Sequence, residues 1–168
     1  MGIKNDMSGG VEPAVLGATA ARAPHASLGV QDCGRMGIVR SPGNRDAHVV
    51  LRGGRDGPNC SPQDVAGAVA TAAPLALARP VLVDCSHGNS RKDHRQQGAV
   101  CRDILDQVSE RQSGIAGVLL ESHLVEGRQD WEPGQEAAPD RSITDACIGW
   151  QETVALLEEA SEAVRSSR

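Results

Sequence analysis

The sequence predicts an α/β fold built on a parallel sheet, and three observations carry that prediction. First, the second half of the chain alternates strand-type and helix-type segments, at residues 80–87, 94–111, 114–120 and about 151–164. Strands alternating with helices at this spacing indicate βαβ units. Second, runs such as Val118-Leu119-Leu120 are continuously apolar, as in strands covered on both faces. Third, polar residues gather where the runs stop, Asp84-Cys85-Ser86-His87 after one and Glu121-Ser122-His123 after the next. The carboxyl ends of parallel strands are where barrels and doubly wound sheets place their sites.

The elements follow in order. "MGIKNDMSGG" gives an apolar dipeptide, Lys4 and a Gly-rich turn, and residues 11–22 are Ala-rich and predict a short helix. "ASLGV", residues 26–30, reads as a short buried strand. "MGIVRSPGNRDAHVVLRGG" predicts a hairpin, with residues 38–40 and 48–51 flanking a Pro-Gly-Asn turn. Ser61 then caps a helix running to about Ala73. Residues 80–87 are a strand, 94–111 an amphipathic helix and 114–120 the next strand. A polar loop with Pro and Gly, residues 127–141, leads to the final helix.

The chain has 168 residues, enough for one domain with a moderate core. It carries 17 Lys and Arg against 22 Asp and Glu, a net charge of −5, which weighs against non-specific nucleic-acid binding. With no Phe or Tyr, and only Trp131 and Trp150, it lacks the stacking platforms of a single-strand nucleic-acid binder. The five cysteines form no CxxC pair and follow no secretory segment, so reduced thiols in a cytoplasmic protein are expected. The longest uncharged stretch, residues 65–78, holds a proline and is too short to span a bilayer.

A carboxylate placed straight after a buried strand costs free energy unless it has a partner, so Glu121 needs one. His87, Glu121 and Asp145 each lie just past an apolar run on different elements. Imidazole plus two carboxylates suits Mn²⁺, Fe²⁺, Co²⁺ or Zn²⁺; the competing reading is three unrelated polar residues at loop starts. Lys4 and Arg52 are the cationic candidates: a guanidinium beside two glycines, as in "LRGG", can approach a phosphate or carboxylate closely. "SHGNSRK", residues 86–92, brings small residues, an amide and two cations into one loop that suits an anion, although no GxxxxGK[ST] is present. HExxH, GxSxG and GxGxxG are also absent. Cys85 and Cys147 read as small buried residues. His25, His48 and His94 read as structural or surface histidines, with His123 helping to shape the site.

"GNRDAHVVLRGG", "PNCSPQDV", "VDCSHGNSRKDHRQQ", "GVLLESHLVEGRQ" and "SITDACIGWQET", in this order, resemble the class I 3-deoxy-7-phosphoheptulonate (DAHP) synthases. The likeness runs nearly end to end from "GIKND". It implies a transferase that opens the shikimate pathway to aromatic amino acids, condensing phosphoenolpyruvate with erythrose 4-phosphate and releasing phosphate. It also implies a divalent metal (Mn, Fe, Co or Zn) and a (β/α)8 barrel. Carried over by position, it makes His87, Glu121 and Asp145 metal ligands. Lys4 and Arg52 become catalytic cations that hold phosphoenolpyruvate, His87 a catalytic residue as well as a ligand, and Asp145 a substrate contact as well as a ligand. The implied chemistry is attack of the enol carbon on an aldehyde polarised by the metal.

A complete barrel needs about 250 residues. Lys4 matches the end of strand five, so the resemblance implies a partial (β/α)8 TIM barrel, running from the tail of strand five through strand and helix eight with a small hairpin after strand six. Residues 1–168 would be the carboxyl-terminal half, incomplete at its amino end. The family's Gly-Pro-Cys, Lys-Pro-Arg-Thr and Gly-Ala-Arg motifs have no counterpart, "DCSHGNS" carries Cys85 and Gly88 in place of an aromatic residue and an alanine, and "AAPDRSITD" lacks a Tyr-Gly. Half a barrel exposes two sheet edges. The expectations are therefore a truncated or split synthase that needs an amino-terminal half-barrel, a non-catalytic subunit of a full-length synthase, or an inactive relic. Oligomerisation is expected, with no nucleic-acid or membrane partner. The reading from a different class is a free-standing α/β metal- or anion-binding module.

Overall fold

A computed structural model describes residues 1–110 and 114–166. In chain order it has β1 (Gly2–Lys4), α1 (Glu12–Arg22), β2 (His25–Val30), β3 (Met36–Ser41), β4 (His48–Leu51), α2 (Pro62–Thr71), β5 (Val81–Asp84), α3 (Gln97–Ser109), β6 (Ile115–Leu119) and α4 (Trp150–Ser166). A short 3-10 turn, His94–Gln96, leads into α3, so the amphipathic segment begins where expected; its expected last residue, Arg111, lies outside the described residues.

β1, β4, β5 and β6 form one parallel sheet in that order, with α1, α2 and α3 as the crossovers. Each crossover moves one place in the same direction. Right-handed crossovers of that kind put every helix on one face, which bends the sheet into an arc of a (β/α) barrel. A doubly wound sheet would instead reverse its order partway. The α/β class and the partial-barrel architecture are thus what the structure contains.

The period of two along each strand separates the faces. Val49 packs under Ala14 and Ala18 of α1. Leu51, Val81, Val83 and Ile115 pack under Val65 and Ala68 of α2 and Ile104 of α3. Each fully buried Val, Leu or Ile contributes about 1.5–3 kcal/mol, and the absence of Phe and Tyr is met by this aliphatic packing. Gly2, Val50, Leu82 and Gly117 meet on the opposite face, and a Cβ on Gly2 would lie 2.6 Å from Val50 Cγ2. Ser61 caps α2 as expected, in a reciprocal capping box: its hydroxyl accepts from Asp64 N, and the Asp64 carboxylate accepts from Ser61 N.

The hairpin is a correction. Residues 38–40 do not pair with 48–51, and the hairpin precedes strand six of the barrel rather than following it. β3 pairs antiparallel with β2, from His25↔Ser41 to Val30↔Met36, around a turn in which Gln31 N donates to Arg35 O. β4 runs parallel between β1 and β5 because Val49, Val50 and Leu51 are all buried, as in a strand covered on both faces. Gly43, at φ +81°, redirects the chain between the two units. Residues 26–30 do form a strand, but it is not buried: Leu28 is 78% exposed and its cross-strand partner Ile38 59%.

Among the described residues β1 and β6 each pair on one side only, leaving two free edges. No helix among them is long and apolar enough to cross a membrane.

Candidate metal and anion site

The carboxyl ends of β1, β4 and β5 are tied together by three asparagines. Asn5, buried after β1, accepts from Arg52 N at 2.7 Å and donates to Gly53 O at 3.0 Å. Asn89, buried after β5, donates to Leu51 O at 3.1 Å and Asp84 O at 2.8 Å. Asn59 accepts from Gly53 N at 2.7 Å, and its own backbone N–H donates to Asn89 Oδ1 at 2.9 Å. Every loop backbone group paired here would otherwise be costly to bury. Their positions inside "GIKND", "PNC" and "SHGNS" were the available signal, because Asn is a side chain that offers a backbone both a donor and an acceptor. Within this frame Gly53 and Gly88 touch backbone to backbone: a Cβ on Gly53 would lie 2.5 Å from the carbonyl carbon of Gly88.

Asp84 ends β5, 2% exposed, and was not among the expected site residues. Its Oδ1 accepts from Ser86 N and Ser86 Oγ at 2.9 and 2.7 Å. Its Oδ2 lies 2.7 Å from Lys4 Nζ and 3.0 Å from His87 Nδ1. Burial pushes the Asp84 carboxyl up, but the hydrogen bonds from Lys4 and Ser86 outweigh it and hold the group below the ordinary carboxylate value. With Nδ1 of His87 directed at Asp84 and Ser86, Nε2 faces away from them, 3.5 Å from Glu121 Oε1. His87 itself sits at φ +53°, which aims the ring out of the strand line.

Glu121 is fixed from behind. Gln97, fully buried at the start of α3, accepts from Glu121 N at 2.8 Å and donates to Glu121 O at 3.1 Å. Asp145 comes from the long loop, which folds back onto the end of β6: His123 N donates to Ile148 O, and Gly127 and Cys147 exchange backbone bonds. The result brings His87, Glu121 and Asp145 together, with one ligating atom from each lying within 4.8 Å of the others. One imidazole nitrogen and two carboxylate oxygens on three separate loops fit a divalent first-row ion, with coordination positions left for water or substrate.

These three residues, Arg52, Lys92 and Gln97 line one pocket of about 230 Å³. Of the five expected site residues, four therefore share it. Lys4 does not line it; its ammonium reaches Asp84, directly behind His87. Glu126 is paired with His94 at 3.0 Å, and His123 Nδ1 is held by the Asp140 carbonyl, so neither joins the cluster. Cys85 and Cys147 are buried, as expected. The hydrogen bond shared with Cys101, together with burial, pushes the Cys85 thiol well up; burial also raises Cys147, and takes Cys60 to about 11. These thiols stay protonated at neutral pH, which suits packing rather than nucleophilic attack.

Comparison with known proteins gives one answer throughout. The model of the DAHP synthetase I family matches residues 1–158. The chain is 44% identical over 168 residues to the phospho-2-dehydro-3-deoxyheptonate aldolase of Haemophilus influenzae, covering 100% of this chain and 46% of that protein. It is 42% identical to the Phe-sensitive phospho-2-dehydro-3-deoxyheptonate aldolase of Escherichia coli K12, covering 48% of that protein. A solved structure of phospho-2-dehydro-3-deoxyheptonate aldolase from Francisella tularensis superposes with a TM-score of 0.88 at 39% identity, over 99% of this chain and 48% of that one. The chain spans about half the length of the relatives it matches.

Proposed function

The chain belongs to the DAHP synthetase I family, and from that premise we propose that residues 1–168 are the carboxyl-terminal half of a 3-deoxy-7-phosphoheptulonate synthase, carrying its metal site and part of its phosphoenolpyruvate grip. The substrates are phosphoenolpyruvate and erythrose 4-phosphate, and the working enzyme is an oligomer in the cytoplasm. The observation that carries this reading is the convergence of His87, Glu121 and Asp145 in one pocket with Arg52.

In this reading His87 Nε2, Glu121 and Asp145 hold a divalent ion such as Mn²⁺, Fe²⁺, Co²⁺ or Zn²⁺. When bound, the ion supplies Lewis-acid polarisation of a substrate carbonyl. Asp84 and Ser86 hold the Nδ1 side of His87, which fixes the ring and leaves Nε2 as the ligand atom. Arg52, its backbone clamped by Asn5, presents a planar guanidinium suited to a carboxylate or phosphate. Lys4 has three N–H donors: one meets Asp84, and the others serve the anionic substrate, since the side chain remains 38% exposed. Asp145, the exposed member of the ligand cluster, also contacts the second substrate.

The partner is an amino-terminal half-barrel, supplied separately or by a full-length synthase. Among the described residues β1 and β6 each leave one edge unpaired, which supports this, because proteins normally cover such edges and a closed barrel removes them. The test is phosphate release from phosphoenolpyruvate, dependent on erythrose 4-phosphate and Mn²⁺, by the purified chain with and without an amino-terminal half-barrel from a related synthase. Activity only in the mixture, lost with His87→Ala, is the expected result. No activity in the mixture, with both halves folded and associated, would leave a non-catalytic subunit instead.

A further inference from the structure

β1 and β6, the outer strands of the parallel sheet, each pair on one side only among the described residues. Such edges are templates for further strand pairing. Residues 111–113 and 167–168, the ones outside the described set, are too few to cover both edges. The helices beside the edges are also left with an uncovered flank. On α4, Leu156 and Ala160 pack toward Cys101 and Leu105 of α3. On its other flank Trp150, Val154, Leu157 and Ser161 follow one another at helical spacing along a shallow groove of about 360 Å³. Leu157 there is 54% exposed, and Leu16 of α1 is 71% exposed.

β1–α1, β4–α2, β5–α3 and β6–α4 are βα units in unbroken spatial order, and they make up half of a (β/α)8 barrel. A second copy related by a two-fold along the barrel axis sets its β1 beside the first copy's β6, and its β6 beside the first copy's β1. Both new pairings are parallel, as is every pairing already in this sheet, and both edges are covered at once. The same rotation lays α4 of one copy beside α1 of the other. Both helices start on the carboxyl-end side of the sheet, so they run parallel. Counted from the first residue of each helix, Leu16 stands level with Val154, and Arg22 falls between Glu158 and Glu162. Among the described residues Arg22, Glu158 and Glu162 form no ion pair; Arg22 gives one N–H to the Arg45 carbonyl. The apposition therefore sets apolar against apolar and a cation between two acids.

We propose that a second copy of this chain closes the sheet, giving a two-fold (β/α)8 barrel in which α4 of each copy docks on α1 of the other. Two copies close the barrel without remainder, and a third finds no edge left to join. His87, Glu121 and Asp145 stay within one copy, so the pair carries two such pockets. The inference rests on the half-barrel architecture and goes beyond the synthase reading. A second copy and an amino-terminal half-barrel use the same edges and exclude each other, so the pair is the form that the chain takes alone.

The test is sedimentation equilibrium of the full chain over a range of concentrations. Three variants are compared with the wild type: Leu16→Lys, Leu157→Glu, and Leu28→Glu/Ile38→Glu on the exposed face of the β2–β3 hairpin. All four side chains are exposed, so the monomer fold is retained, which circular dichroism checks. The wild type is expected to be a dimer and nothing larger. Leu16→Lys and Leu157→Glu should each weaken it by about tenfold or more. Mixing those two variants should restore it, because the new cation then faces the new acid across one α1–α4 contact. The hairpin variant should remain dimeric. A monomeric wild type, assemblies larger than two, dimerisation lost only in the hairpin variant, or no recovery in the mixture would each overturn the proposal. Mn²⁺ titration of the same samples reports on the metal reading separately, so a failure of that reading leaves this result standing.

Discussion

Lys4 and Asp84 form an ion pair of 2.7 Å across the carboxyl ends of β1 and β5, and the same Asp84 oxygen lies 3.0 Å from His87 Nδ1. A single buried carboxylate thus sets both a cation and a candidate metal ligand. Replacing it by Asn keeps the shape and removes the charge. Asp84→Asn is expected to lower Mn²⁺ affinity by about 10–100-fold, the usual effect of losing the partner behind a ligating histidine. Calorimetric titration checks this, and an unchanged affinity would mean that Ser86 alone orients the ring.

Gln97 holds Glu121 by both of its backbone groups. Gln97→Leu has similar volume and no polar atoms, so it leaves a donor and an acceptor without partners beneath the site. Each costs about 1–3 kcal/mol. Urea denaturation should show a loss of that order, together with weaker Mn²⁺ binding because Glu121 is no longer fixed. Loss of stability with full Mn²⁺ affinity would separate Gln97 from the site.

Two glycines give opposite expectations. Gly53 has φ +75° and no room for a Cβ against Gly88, so Gly53→Ala should destabilise by more than the roughly 1–3 kcal/mol of backbone strain alone. Gly67 lies inside α2, and apart from its chain neighbours and the adjoining backbone of its own helix a methyl added there would meet nothing within 4 Å. Gly67→Ala should therefore stabilise by about 0.5–1 kcal/mol. Thermal unfolding of the two variants measures both signs.

These particulars show where the sequence was readable and where it was not. The helices at 12–22, 62–71 and 150–166 and the strands at 81–84 and 115–119 follow from local signals: Ser61 before an apolar face, and runs of Val and Leu between polar stops. The partner of residues 36–41 was not readable, because Pro42-Gly43-Asn44 has turn chemistry whether the chain reverses or merely changes direction; only the burial of Val49–Leu51 decides it. His87, Glu121, Asp145 and Arg52 were legible as polar residues at strand ends. Asp84 was visible at its strand end too, but its role was not, because that role depends on Lys4, eighty residues earlier in sequence. Gln97 and the three asparagines were hard to read for a related reason: they bind mostly backbone, so their place inside the motifs signalled the asparagines without naming their partners.

The α3–α4 contact should respond to acid. Arg102 makes two hydrogen bonds to Glu159, at 2.8 and 2.9 Å, and they hold the Glu159 carboxyl below its ordinary value of 4.5. A depressed carboxylate pKa contributes stability that is present above the unfolded value and lost as pH falls through the folded one. Stability should therefore fall below about pH 4.5 less steeply in Glu159→Gln than in the wild type. Because the pair is exposed, the difference should be small and should shrink in salt. Denaturation curves between neutral and acid pH at two salt concentrations check this; identical slopes would remove the pair from the acid response.

The assignment of His87, Glu121 and Asp145 to one divalent-metal site is tested most directly by Mn²⁺ titration of the full chain, followed by electron paramagnetic resonance. His87→Ala, Glu121→Ala and Asp145→Ala variants whose circular dichroism matches the wild type are titrated alongside. One bound ion per chain is expected in the wild type, lost or greatly weakened in each variant. Mn²⁺ binding that is absent from the wild type, or equal in all four proteins, would contradict the assignment.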